Sequence, residues 1–497
     1  MSIIHKTFGL LLLAFLIACS SAETDVEFEL DDQEFALPLI NSRLKVSTVT
    51  DNTEGTRIEV DNNGKVTVLY KGDVVERAAT DIFMPFDTNL TIPIIDMFPF
   101  PLPVAEEGDV INRAIFANTN IWFTYNNSSN EDLNITIDFL QFTLDGERYS
   151  VNFDVPANTE IVSDTFSVEG AEVITIDNNI IFDVIALNAA GDTMPSGLPF
   201  MDFDVLDFNF VEGKFNERVF DIDGSFVVVG IFDNWISGNI SFTDPKLTVD
   251  VDNGFGLPVE SLFNDISITT TEDVKLEIES SLIDEGITFA YPALDEVGQT
   301  KRTQFAFDKD NSNIVDLFGQ RATRVSYDID ALVNPGNPDL VGFFDRSSFF
   351  KIDVSVEVPL EGTINEFEIE GDLEFDASNF EDVKNASFKT IFENGFPIDM
   401  YSQAYFLDEG GNVLDSLFSQ GLVLLKAAPV GEDLMVIEDE VTVFEIPFSE
   451  ERLDNIRAAK TLSVKSIFDT PDDIDEPVSI FNNYGLGVKM GALLTLK

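Results

Sequence analysis

The chain has 497 residues, of which 44% are hydrophobic and 46 are phenylalanine, which supplies apolar area for several packed cores and excludes wholesale disorder. Its 29 basic residues stand against 90 acidic ones, a formal charge of −61; such a surface repels nucleic acid and anionic lipid head groups, and no basic patch offsets it. One cysteine, Cys19, and one histidine, His5, exclude an internal disulfide and a zinc site of ordinary type.

The chain opens with Lys6 and an apolar run from Phe8 to Ile17, too short to span a bilayer, followed by small Ala18 before Cys19. This pattern predicts an export signal over residues 1–18. The order Leu16-Ile17-Ala18-Cys19 resembles the lipobox of bacterial lipoproteins. The resemblance implies that Leu16, Ala18 and Cys19 are read by the processing peptidase and that Cys19 carries the lipid. Acyl chains of palmitate type would then anchor the chain as two signals, and His5 would leave with the signal. The alternative is an ordinary secretory signal with an incidental cysteine; export follows in both cases. Residues 19–37 are expected to form the tether. No second long apolar run follows, so the body is expected to be soluble.

The body reads as strands. Val66–Tyr70, Leu133–Ile137, Leu247–Val251 and Ile352–Val356 alternate apolar and polar residues with period two, the mark of one buried face. Turn signals at Asp61-Asn62-Asn63-Gly64, Asp145-Gly146, Asp223-Gly224 and Gly410-Gly411-Asn412 predict hairpins. Helical periodicity is confined to short pieces, the clearest from Ser449 to Lys460, where Ser449 caps and Leu453 with Ile456 forms a stripe. The fold class is therefore all-β, with sandwich-like antiparallel modules. Two proline-rich apolar stretches, Ile92–Pro103 and Pro195–Met201, are expected to be connections packed over a core, or sticky patches if exposed.

Compared with itself, the chain repeats. Asn253-Gly254-Phe255 with Pro258 returns as Asn394-Gly395-Phe396-Pro397 after a strand. Phe305-Ala306-Phe307, Ile314, Leu317 and Val325 align without a gap on Phe444-Glu445-Ile446, Leu453, Ile456 and Val464. The expected organisation is an N-terminal β domain over 38–220, a module over 221–365 and its duplicate over 366–497, with a degenerate copy over 112–165. Asn-Gly-Phe-Pro is read as an interruption within a strand or between paired strands, where Gly permits a bulge, the alternative being a ligand loop. Each module should bury Ile314 and Leu317, or Leu453 and Ile456, from a short helix.

The order strand, Asn with nearby Pro, hairpin, strand, short helix, strand resembles the water-stress and hypersensitive-response domain of type 2 late-embryogenesis-abundant proteins, over residues 236–335 and 377–475. The Asn-Pro-Asn usual in that family is replaced by Asn-Gly-Phe. The whole chain resembles the acidic, Phe-rich surface or periplasmic lipoproteins of Bacteroidota. That resemblance implies an outer-membrane address, since Ser20 follows Cys19, and a surface-export signal carried by Glu23 and Asp25.

Chemistry is sparse. Asp308-Lys309-Asp310-Asn311-Ser312 has the first spacings of a calcium loop but lacks its later Gly and closing Glu, and the aligned stretch carries Pro447 and Ser449. It is read as a turn capping the short helix. Asp408–Asn412 and Asp472–Asp475 are read as a hairpin tip and a solvated loop, and no metal site or cofactor is assigned. Neither a nucleophile elbow nor a phosphate-binding glycine loop occurs, and no catalytic residue is assigned. The expectation is a non-enzymatic envelope lipoprotein for binding, adhesion or assembly, with the membrane and an envelope protein as partners. A carrier enclosing an apolar ligand between Phe-rich sheets is the runner-up, and a hydrolase using two carboxylates comes third.

Overall fold

Period-two segments form strands wherever they were expected. The computed structural model describes residues 34–46, 55–82, 91–102, 108–232, 235–375 and 382–496, and the fold is all-β with short helices. Local turn chemistry sets three hairpins. Gly64 N–H donates to the Asp61 carbonyl, Asp145 and Gly146 both adopt positive φ, and Asp408 Oδ1 accepts from the N–H groups of Gly410 and Asn412. Asp223-Gly224 is no hairpin. Arg218–Phe220 before it and Ser225–Val228 after it pair with the same strand, so it marks a break in one edge strand.

Three N-terminal strands, β1 (Glu34–Lys45), β2 (Val66–Lys71) and β3 (Thr91–Pro93), precede three sandwiches. The first is built on β4 (Asn120–Asn127), β5 (Leu133–Leu144), β6 (Asn179–Asn188) and β7 (Phe200–Phe203). The second contains β8 (Lys246–Asn253), β9 (Val259–Thr270), β10 (Lys301–Phe307), α1 (Ile314–Phe318), β11 (Ala322–Val333) and β12 (Phe349–Pro359). The third contains β13 (Glu361–Glu374), β14 (Val383–Asn394), β15 (Asp399–Leu407), β16 (Glu440–Phe448), α2 (Glu450–Arg457), β17 (Thr461–Asp469) and β18 (Gly485–Leu496).

One pairing scheme recurs. In one sheet the orders are β4-β7-β3, β10-β8-β12-β2 and β16-β14-β18-β1. In the facing sheet β5 pairs β6, β9 pairs β11 and β15 pairs β17. The helices bury their stripes as the pattern requires: Ile314 and Leu317, and Leu453 and Ile456, all lie in the core. Ser449 Oγ caps α2 by accepting from Arg452 N–H.

The asparagine motif is a crossover, in contrast to the expected bulge. Asn127, Asn253 and Asn394 end strands of one sheet, and the chain then passes to the facing sheet, where ladder partners are lost and the amide supplies replacements. Each Oδ1 accepts the N–H two residues on, from Ser129, Phe255 and Phe396. Each Nδ2 donates across the gap: to Glu131, Val155 and Pro156 carbonyls, to Ala290, and to Ile398 and Lys426. All three side chains are buried, which rules out the ligand-loop alternative at Asn253 and Asn394. Gly256 is fixed by space, since a Cβ there would lie 2.0 Å from the Phe343 ring.

The N-terminal strands are taken in reverse. β1 joins the third sandwich, β2 the second and β3 the first, so the expected limits shift: β1 begins inside the expected tether, and β1 and β2 leave the expected N-terminal domain. Register sets the stacking. β1 runs from Glu34 opposite Thr495 to Lys45 opposite Gly485, the Asn394 end of its sandwich. There Asn482 N–H donates to Gly64, Val66 N–H to Ile480 and Leu360 N–H to Val66. The Asn253 end of the second sandwich meets the first through Val341–Asp345, which pairs Phe208–Lys214, which in turn pairs Val110–Phe116. The sandwiches therefore follow end to end, third, second, first, with the Asn127 end at the tip. The first two share one continuous core, while the third has its own and meets the second through Val66, Phe396, Phe481 and Tyr484.

Candidate binding face

Leu16, Ala18, Cys19, Glu23 and Asp25 lie outside the described residues. Among the described residues no three Asp, Glu, His or Cys side chains are grouped to hold a metal ion. Asp308 is committed to its turn: its Oδ1 accepts from Asp310 N–H at 2.9 Å, and its carbonyl accepts from the Ser312 N–H and hydroxyl. Asp408 is likewise used, and hydrogen bonds from the Asn412 side chain and backbone hold its carboxyl below the usual range. No helix among the described residues is long and apolar enough to cross a membrane.

Between the sheets of the third sandwich lies a cavity of about 40 Å³, lined by Thr390, Phe392, Gln403, Phe418 and Val488. Thr390 Oγ1 has no partner among the described residues. Gln403 is saturated, donating to the Phe418 and Gly421 carbonyls and accepting from Ala404 and Phe418. Ligand sites for small molecules usually run to about 300–1,000 Å³, so this space does not fit an acyl chain.

The two proline-rich stretches divide their residues. Ile92, Ile94, Leu102 and Met201 enter the core, whereas Ile95, Met97, Phe98, Leu198 and Phe200 face outward. Register explains which. Val162 opposes Thr124, Thr124 opposes Phe200, and Phe200 opposes Pro93, so all four share the outer face of one sheet. Ile94 N–H bonds the Pro199 carbonyl, which continues the register and sets Ile95 opposite Leu198 on that same face. Trp122, two residues before Thr124, adds a half-buried indole. The same row in the second sandwich is Gln304, Asp250 and Asp353, and in the third Val443, Ile391, Lys489 and Asn41. The fold therefore tolerates a polar row at this position, and the first sandwich departs from it. The sequence flagged Ile95, Leu198 and Phe200 by their proline context; Val162 and Trp122 join them only through strand register.

No family model matches the chain, and no curated protein does. The resemblance to the water-stress domain accordingly gains no support. Among solved structures, a protein of Parabacteroides distasonis described as secreted shares 11% identity at a TM-score of 0.28, over 57% of this chain and 88% of that one. The infectious bursal disease virus VP2 subviral particle shares 7% identity at a TM-score of 0.15, over 80% of this chain and 74% of that one. A triple jelly roll protein of an archaeal virus shares 11% identity at a TM-score of 0.12, over 91% and 95%. TM-scores this low carry no argument about function. What the chain's own pairing defines is a tandem of antiparallel β-sandwiches.

Proposed function

We propose that the protein is a non-enzymatic cell-envelope lipoprotein, held at the outer membrane through Cys19 and serving binding, adhesion or assembly. One observation carries the reading: β1, the first described strand, starts at the end of the stack farthest from the first sandwich. From Cys19 to Glu34 the chain reaches at most about 50 Å, so a lipid at Cys19 holds the third sandwich near the membrane and presents the first outward. The apolar row of Ile95, Val162, Leu198 and Phe200 then lies toward the outer end. The cavity described in the third sandwich is too small to favour a carrier of an acyl chain.

The test is Cys19→Ser. The variant should leave the membrane fraction or accumulate as uncleaved precursor, read by fractionation and precursor size. Unchanged processing and unchanged membrane retention would sink the lipoprotein reading.

A further inference from the structure

We propose that the outer face of the first sandwich, built by Pro93, Ile95, Trp122, Val162, Leu198 and Phe200, docks a positively charged protein segment that presents its own apolar side chains. The inference rests on the binding reading and deepens it by naming the surface and the chemistry of its partner.

Exposure comes first. Val162 is 65% exposed, Ile95 48%, Leu198 45% and Phe200 38%, on neighbouring strands with their side chains on one side. Aromatic and aliphatic groups grouped on an outer face are what the centre of a protein interface contains. The second sandwich shows the alternative. Its corresponding face carries Arg302 paired with Asp252 at 2.8 Å and Lys351 paired with Asp353 at 2.6 Å.

Charge selects the occupant. From Thr91 to Asp207 the sequence has twenty acidic residues, and its only basic ones are Arg113 and Arg148. Arg113 is engaged by Glu172 away from the face. Around the face stand Glu160, Asp164 and Asp202, and none of them is ion-paired among the described residues. An apolar centre with an anionic rim is complementary to a cationic, apolar surface, and that rim sets orientation and capture rate. A second copy of this chain would bring the same negative rim, and an anionic bilayer would be repelled in the same way. Strand addition is disfavoured as the mode of contact, because the edge strand β3 has three residues and includes Pro93. The partner therefore lies on the face.

Trp122 reports binding directly. The full chain should be titrated at an ionic strength of about 0.15 M with a synthetic peptide of alternating Leu and Lys, following indole emission, with Trp122→Phe identifying the signal. The emission change should saturate. Leu198→Lys with Phe200→Lys should weaken binding roughly tenfold or more, and Val441→Lys with Val443→Lys in the third sandwich should leave it unchanged. Val162→Lys, at the most exposed position of the face, gives the same reading if the double variant fails a circular-dichroism check of folding. Equal binding of an all-Lys peptide, or no effect of the face variants, overturns the proposal. So does a concentration-dependent dimer abolished by those variants, or binding to phosphatidylethanolamine vesicles that outcompetes the peptide. Fractionation of Cys19→Ser reads the anchor separately, so either result can fail without the other.

Discussion

Asn127, Asn253 and Asn394 do at residue scale what a ladder does along a strand. At each sheet-to-sheet passage the backbone leaves buried N–H and C=O groups without neighbours, and one amide satisfies both kinds. Asn394→Ala strips partners from Phe396 N–H and from the Ile398 and Lys426 carbonyls. It should destabilise the third sandwich by about 1–3 kcal/mol in urea unfolding, whereas Asn385→Ala, exposed on the same strand, should stay within about 0.5 kcal/mol. Equal costs would mean that the buried amide is not what holds the crossover. A second residue-scale expectation concerns Tyr149. Burial pushes its phenol up to about 12, and its hydroxyl donates to the Ser167 carbonyl at 2.8 Å. The ordinary value is about 10, so the folded value lies above the unfolded one. The associated stability is present below pH 10 and is lost as pH rises through 12. Alkaline absorbance titration should show a phenolate that forms near pH 12 and vanishes in Tyr149→Phe. If all eight tyrosines of the folded protein ionise together near pH 10, Tyr149 is not buried as described.

At the scale of elements, what could be read from sequence was what neighbours decide. The hairpin at Asp145-Gly146 needs only two residues willing to take positive φ, and α2 needs only Ser449 and a stripe, so both stood plain. Asp223-Gly224 carries the same turn signal, yet both flanking segments find one partner, β11, and no local pattern records which strand a partner will be. Asn-Gly-Phe was recognised as a repeat and misjudged as a bulge for a related reason: Gly and Pro say that pairing stops, while the facing sheet decides where the chain goes next. β1 is the extreme case, since its pairing with β18 joins Glu34 to Thr495. Arg43 fastens it, reaching Asp439 with both guanidinium nitrogens. Deleting Glu34–Lys45 should expose β18 as an edge, and amide exchange across Leu486–Leu494 should accelerate while the first sandwich keeps its protection. Unchanged protection along β18 would show that β1 is dispensable to that sheet.

For the whole molecule, composition and alternation sufficed for the all-β class, and repetition in the sequence pointed to two of the three sandwiches and, as a degenerate copy over 112–165, to part of the first. The stacking order was hidden because it depends on N-terminal strands contributed from far away. The binding face was half legible: proline-rich apolar runs drew attention to Ile95 and Phe200, but Val162 sits in an ordinary strand and becomes part of a surface only when four strands are laid in register. The reversed assignment of β1, β2 and β3 has a further consequence for manufacture. A chain is made N-terminus first, so β1 is delivered long before its partner β18. Contacts of such sequence separation form slowly, and until β18 arrives β1 has no ladder to join. The first sandwich can close early and the third only once β18 has been made. A chain cut short anywhere before Gly485 would leave β1 without its ladder, an unpaired strand open to proteolysis.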